Sequence, residues 1–149
     1  MIINVSINGC EKSFNIQDHE MLIDVLRNNG YLSVKRSCDT SSCGICTVHV
    51  DDKPVLSCSY LAARVDGKKI TTVEGVQSEV KELASFIVAE GAEQCGFCSP
   101  SLVMTVLAMK KELKNPTEDD IRNYLVGNTC RCSGFQGHMR AIKKYMGVE

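Results

Sequence analysis

Cysteine is the residue type whose number and spacing in this chain point to chemistry. The 149 residues contain nine cysteines, and eight of them fall into two groups of four. The first cysteine set is Cys38, Cys43, Cys46 and Cys58, and the second cysteine set is Cys95, Cys98, Cys130 and Cys132. Thiolates are soft ligands, and four of them complete either a tetrahedral zinc site or an iron–sulfur cluster. The sequence therefore predicts two metal centres.

The spacing within each set indicates which metal centre it holds. The first set follows the pattern C-x4-C-x2-C with a fourth cysteine downstream, which is typical of a plant-type [2Fe–2S] site. The second set combines C-x2-C with C-x-C and again offers four thiolates. Zinc sites usually present two C-x2–4-C pairs, so zinc remains an alternative, more for the second set than for the first. We expect two [2Fe–2S] clusters.

A disulfide interpretation is disfavoured by the start of the chain. Disulfides persist in oxidising compartments, and the segment from Met1 to Gly9 has neither the basic start nor the long apolar run of a signal peptide. We therefore expect a cytoplasmic protein. Cys10 belongs to neither set and is expected to be a small buried hydrophobic residue rather than a ligand.

Charge and composition exclude several other functions. Seventeen basic and 18 acidic residues are scattered along the chain and give a formal net charge of −1, so we expect no nucleic-acid surface. No apolar stretch is as long as a membrane span. The three histidines are isolated, and no catalytic motif accompanies them. The chemistry is therefore expected to belong to a partner protein.

The first half of the chain has the period of β-strands. Ile3, Val5 and Ile7 alternate with polar residues up to a hairpin signal at Asn8-Gly9. A short amphipathic helix, a second hairpin with Cys58 at the end of its return strand, and a last strand are predicted to follow. A hairpin followed by a packed helix predicts a β-grasp ferredoxin-like domain over residues 1–76.

The second half has the period of α-helices. Four helices are predicted over residues 77–149, the second beginning at Ser99-Pro100 directly after Cys98. Cys130 and Cys132 follow the third helix. The chain is thus predicted to be an α+β protein, in which a β-grasp [2Fe–2S] domain precedes a four-helix [2Fe–2S]-binding domain.

The residues around the first set suit a metal loop. Ser41, Ser42 and Gly44 are small, and a loop that points its N–H groups at sulfur needs small residues and positive φ angles. Gln94 directly precedes Cys95 and is placed to hydrogen-bond something docked beside the second set. The simpler interpretation is a surface amide.

Four segments of the chain resemble, in order and spacing, one known family. They are residues 37–48 (Ser37-Cys38-Asp39 through Cys43-Gly44-Ile45-Cys46-Thr47-Val48), Thr72-Val73-Glu74-Gly75-Val76, Gln94-Cys95-Gly96-Phe97-Cys98-Ser99-Pro100 and Gly127-Asn128-Thr129-Cys130-Arg131-Cys132-Ser133-Gly134-Phe135. They are similar to the signatures of the small iron–sulfur subunit of molybdenum hydroxylases, the family of xanthine dehydrogenase, aldehyde oxidoreductase and carbon monoxide dehydrogenase. The resemblance covers almost the whole chain.

The resemblance implies a role as an electron-transfer subunit. It implies a large partner subunit with a molybdenum–pterin cofactor and a medium partner subunit with FAD. The residues matching Gln94 and Cys132 contact the pterin in that family. As the substrate of the complete enzyme, the resemblance favours a purine or another N-heterocycle over an aldehyde or CO. A free-standing two-cluster ferredoxin is the alternative.

The chain departs from the family pattern at a few positions. These are Thr40-Ser41-Ser42 in the first loop, Ser101 after the proline, and His138 in place of an aliphatic residue. None of these residues belongs to either cysteine set. They bear on cluster potentials and on the fit around the pterin.

Overall fold

The N-terminal hairpin forms where apolar and polar residues alternate. In the computed structural model, which describes residues 1–148, strand β1 is Ile2–Ile7 and strand β2 is Cys10–Asn15. Ile3, Val5 and Ile7 are buried on one face of β1. Asn8 and Gly9 join the strands with φ angles of 52° and 81°, which is the left-handed backbone of a two-residue hairpin turn. The predicted hairpin is confirmed.

The other strands complete a mixed sheet. Strands β3 (Thr47–Val50), β4 (Lys53–Leu56) and β5 (Lys69–Thr71) join the hairpin in the order β2-β1-β5-β3-β4. β1 pairs parallel with β5, and the other pairs are antiparallel. The buried face of helix α1 (Leu22–Asn28) packs into the same core. This arrangement matches the β-grasp architecture that the sequence predicts.

Four further helices form the C-terminal part. They are α2 (Gln77–Ala89), α3 (Ser99–Glu112), α4 (Glu118–Tyr124) and α5 (Gln136–Met146). Thr117 and Asp120 form a capping box at the start of α4. One cluster of buried residues lies under the sheet and a second lies among these helices. The predicted α+β class, with a helical second part, is confirmed.

Helix α3 connects the two parts. All residues from 101 to 109 are buried, because one side of α3 contacts the helices and the other contacts β3 and β4. The ring Nε2 of His49 on β3 lies 2.7 Å from the carbonyl oxygen of Met104 on α3. Lys111 pairs with Asp52 at 3.2 Å. The relative position of the two halves is therefore held by specific polar contacts as well as by apolar packing.

The position of Cys58 differs from the one expected from the sequence. Cys58 does not lie at the end of a strand, because β4 ends at Leu56 and residues Ser57–Ser59 form a 3₁₀ turn. The turn forms where the Ser57 hydroxyl donates to the Cys46 carbonyl at 2.7 Å, which draws Cys58 towards the first loop.

Among residues 1–148, no helix has the length and apolar character needed to cross a membrane.

Candidate metal centres

The first cysteine set is assembled by one loop and one turn. Cys38, Cys43 and Cys46 lie on the segment between α1 and β3, and the 3₁₀ turn brings Cys58 to them. The loop folds tightly because Ser41 and Gly44 have φ angles of 54° and 70°. The expectation of small residues with positive φ in this loop is confirmed at both positions.

Hydrogen-bond donors surround the Cys38 sulfur. The Cys43 thiol hydrogen-bonds to it, as do the backbone N–H groups of Cys43, Thr40 and Ser42, and together they lower the pKa of Cys38 to about 6. All of these donors stabilise a free Cys38 thiolate, but only the backbone N–H groups would still donate to Cys38 in a bound metal centre, because a ligating Cys43 is itself a thiolate. Cys46 is the contrasting case, since its burial raises its pKa to about 11.

Helix ends assemble the second cysteine set. Cys98 is the N-cap residue of α3, and Cys130 and Cys132 lie in the segment between α4 and α5. Burial raises the pKa of Cys98 to about 12, whereas Cys95 and Cys132 are exposed. The second set is therefore buried on one side and open to the surface on the other.

The eight thiols form four contacting pairs. The contacting pairs are Cys38 with Cys43, Cys46 with Cys58, Cys95 with Cys132 at 3.4 Å between sulfurs, and Cys98 with Cys130. Each iron of a [2Fe–2S] cluster takes two protein ligands, so two thiol pairs match one cluster. The donors present at both sites therefore fit [2Fe–2S] clusters.

Gln94 and Cys132, the two residues expected to contact a pterin, lie together at the surface. The Gln94 amide nitrogen is 3.5 Å from the Cys132 carbonyl oxygen, and both side chains are exposed. Gln94 also adjoins the exposed Cys95 in the chain. This edge of the second set is accessible to another protein.

A backbone contact joins the two sites. The Thr129 N–H donates to the Cys43 carbonyl oxygen at 2.9 Å, and Thr129 directly precedes Cys130. Gly44 permits this approach, because a Cβ at Gly44 would lie only 2.2 Å from the Gly127 carbonyl oxygen. Gly127 and Thr129 lie in one of the family-like segments, but the sequence does not reveal their contact with Cys43 and Gly44, since that contact depends on the docking of two segments far apart in the chain.

The ninth cysteine differs from its expected environment. Cys10 was expected to be buried, but it is exposed at the start of β2, so that prediction is wrong. The physical reason is that Cys10 pairs with Ile7 next to the hairpin turn, where β2 is an edge strand with its residues largely exposed. Cys10 is remote in the chain from both sets and takes part in neither group of paired thiols.

Family models match both halves of the chain. Residues 5–77 match the 2Fe-2S iron-sulfur cluster binding domain, and residues 72–143 match the [2Fe-2S] binding domain. Each half thus corresponds to a domain that holds an iron–sulfur cluster. These matches favour iron–sulfur clusters over zinc in both cysteine sets.

Relatives match over nearly the full length. The chain is 41% identical to the xanthine dehydrogenase iron-sulfur-binding subunit of Escherichia coli O157:H7, covering 90% of this chain and 87% of the relative. It is 37% identical to the nicotinate dehydrogenase small FeS subunit of Eubacterium barkeri, covering 89% and 87%. The crystal structure of quinoline 2-oxidoreductase from Pseudomonas putida 86 contains a chain that is 34% identical, with a TM-score of 0.89, covering 98% of this chain and 92% of that one.

Proposed function

Because this chain belongs to the family of small iron–sulfur subunits of molybdenum hydroxylases, we propose that it relays electrons from a molybdenum–pterin centre to FAD, both held by partner subunits. The observation that carries this proposal is the arrangement of two sets of paired thiols that are joined through one backbone hydrogen bond. Two [2Fe–2S] clusters supply one-electron redox chemistry in such a chain. The family relationship favours this role over that of a free-standing carrier.

We propose that all eight paired cysteines are cluster ligands. The first cysteine set would hold a plant-type cluster in a domain of residues 1–76, and the second would hold the other in a domain of residues 77–149. The division is supported by the two separate cores. N–H groups that point at the ligand sulfurs would stabilise the reduced clusters, which are more negative.

We propose that electrons enter at the second set and leave through the first. Gln94 and Cys132 are exposed beside the second set and would face the pterin of the large subunit. The hydrogen bond from Thr129 to Cys43 links the backbone segments of Cys130 and Cys43 and would give electrons a short route between the sets within this chain. The FAD of the medium subunit would then be the acceptor.

Metal analysis tests the ligand assignment. Two clusters of two irons each predict about four irons and four acid-labile sulfides per chain, with two distinguishable paramagnetic signals on reduction. Cys130→Ser should remove or alter only one of the signals. Zinc in place of iron, or both signals unchanged in this variant, would contradict the assignment.

Transient kinetics test the order of electron flow. In the assembled complex, Cys43→Ser should remove the plant-type cluster, permit substrate to reduce the second-set cluster, and block reduction of FAD. Metal binding and folding are coupled in such sites, so the intact signal of the remaining cluster is the control for assembly. Flavin reduction at the wild-type rate in this variant would refute the proposed route.

The role of Gln94 is tested by a matched pair of variants. Gln94→Ala should leave both cluster signals intact while it slows electron entry or weakens retention of the pterin cofactor. One hydrogen bond contributes only about 0.5–1.5 kcal/mol, so the loss should be partial. Gln17→Ala, which removes an exposed glutamine that is not adjacent in the chain to any cysteine of either set, is the control. Equal behaviour of the two variants would favour a simple surface amide.

We propose an N-heterocycle as the substrate of the complete enzyme. Relatives are named for xanthine, nicotinate and quinoline, all N-heterocycles, although a 34% identical relative is an aldehyde oxidoreductase from Megalodesulfovibrio gigas. Cluster reduction by xanthine, nicotinate and a simple aldehyde, added separately to the purified complex, tests this choice.

We also propose a location in the reducing cytoplasm, with which the free thiols are compatible.

A further inference from the structure

A buried histidine lies behind one ligand of the second cysteine set. His138 on α5 is only 2% exposed, and its ring Nδ1 lies 2.7 Å from the Ser133 hydroxyl. The same hydroxyl oxygen lies 3.3 Å from the Cys130 sulfur and accepts the Phe135 N–H at 3.3 Å. A continuous series of hydrogen bonds therefore runs from His138 through Ser133 to Cys130.

The direction of each hydrogen bond follows from the number of protons available. A cysteine that ligates iron is a thiolate and can only accept, so a hydrogen bond between Ser133 and Cys130 requires the hydroxyl to donate its single proton to the sulfur. The serine oxygen then has two acceptor sites, and the Phe135 N–H occupies one of them. The other is filled by His138 only if its Nδ1 carries a proton. If Nδ1 were unprotonated, it would compete with the Cys130 sulfur for the serine proton.

We propose that His138 is a positioning residue that directs the Ser133 hydroxyl at the Cys130 sulfur and thereby raises the reduction potential of the second-set cluster. The proposal rests on the ligand assignment made above. A donor to a ligand sulfur stabilises the reduced cluster more than the oxidised one, because the reduced cluster is more negative. Loss of the donor therefore shifts the equilibrium towards the oxidised cluster.

The test is a redox titration of the full chain loaded with both clusters, followed through the paramagnetic signal of each. Ser133→Ala removes the donor, and His138→Phe keeps a buried ring but cannot hold the hydroxyl. Each should shift reduction of the second-set cluster about tenfold towards the oxidised form, which is about 59 mV for a one-electron couple. The potential of the first-set cluster should stay constant in both variants and is the internal control.

Two further variants separate positioning from mere space-filling. His138→Asn retains an N–H donor close to the position of Nδ1 and should restore most of the potential. In the double variant Ser133→Ala/His138→Phe, the potential should equal that of Ser133→Ala alone, because His138 acts only through the hydroxyl. His138→Leu is a second donor-free variant for use if His138→Phe does not fold.

Two results would overturn the inference. One is an unchanged potential of the second-set cluster in a folded donor-free variant of His138, and the other is an additive shift in the double variant. Either would leave the two clusters and their ligands in place. Absence of the second-set signal from the wild-type chain would overturn the ligand assignment and this inference together, so the two failures are distinguishable.

Discussion

Gly44→Ala should weaken the contact between the two cluster sites. A Cβ at position 44 would lie 2.2 Å from the Gly127 carbonyl oxygen and 3.2 Å from the Asn128 Cα. Both are backbone atoms, so no side-chain rotation relieves the overlap. The segments must separate, and the hydrogen bond from Thr129 to Cys43 must lengthen or break.

The size of the effect can be estimated against a matched control. Gly67 has φ +71°, almost the same as the φ of +70° at Gly44, but a Cβ there would meet nothing within 4 Å. Gly67→Ala therefore incurs only the left-handed backbone cost, about 1–2 kcal/mol. Gly44→Ala adds overpacking of about 1–3 kcal/mol and one lost hydrogen bond of about 0.5–1.5 kcal/mol. The difference between the variants should be roughly 1.5–4.5 kcal/mol.

Thermal unfolding of the cluster-loaded chain measures this difference. One kcal/mol shifts the midpoint by about 2–4 °C in a protein of this size, so Gly44→Ala should melt at least about 3 °C below Gly67→Ala. Equal iron content in the two variants is the control for cluster loading. If both variants melted at the same temperature, the close approach of Gly44 and Gly127 would not contribute to stability, and the reasoning would be refuted.

Three further predictions concern other parts of the chain. Cys10→Ala should retain all the iron and change the free energy of unfolding by less than about 0.5 kcal/mol, because Cys10 is exposed; loss of iron would contradict this. Thr117→Ala should lower stability by about 1 kcal/mol in denaturant titrations, because it breaks the capping box with Asp120. Burial lowers the pKa of His49, so the unfolded chain takes up more protons and stability should fall as the pH drops below about 6.5. His49→Gln should reduce that dependence, and an identical pH profile would contradict it.

The sequence determined the elements and the nature of the sites because these depend on local patterns. The alternation of Ile3, Val5 and Ile7 predicted β1, and Asn8-Gly9 predicted its turn. The cysteine spacing predicted two four-thiol sites, since C-x4-C-x2-C with a fourth cysteine downstream is typical of a plant-type [2Fe–2S] site and the remaining four cysteines offer a second complete set. The role of individual cysteines as ligands remains a prediction from that spacing and from the thiol pairs.

The burial and backbone conformation of individual cysteines were harder to predict from the sequence than which cysteines form each set. Cys10 was expected inside because cysteine is often buried, but its position on an edge strand beside a hairpin turn exposes it. Cys58 was expected on a strand, but the hydrogen bond from Ser57 to Cys46 closes a turn there instead. Burial and turn formation depend on neighbours that are distant in the sequence.

Only the tertiary structure decided how the two sites are connected. The contact of Thr129 with Cys43, the close approach of Gly44 to Gly127, and the series from His138 to Cys130 depend on atomic distances of about 3 Å. Sequence periodicity specifies which face of an element is buried, but hydrogen bonds require the orientation of one element against another. That orientation is set by the packing of α3 between the sheet and the other helices, which no local pattern encodes.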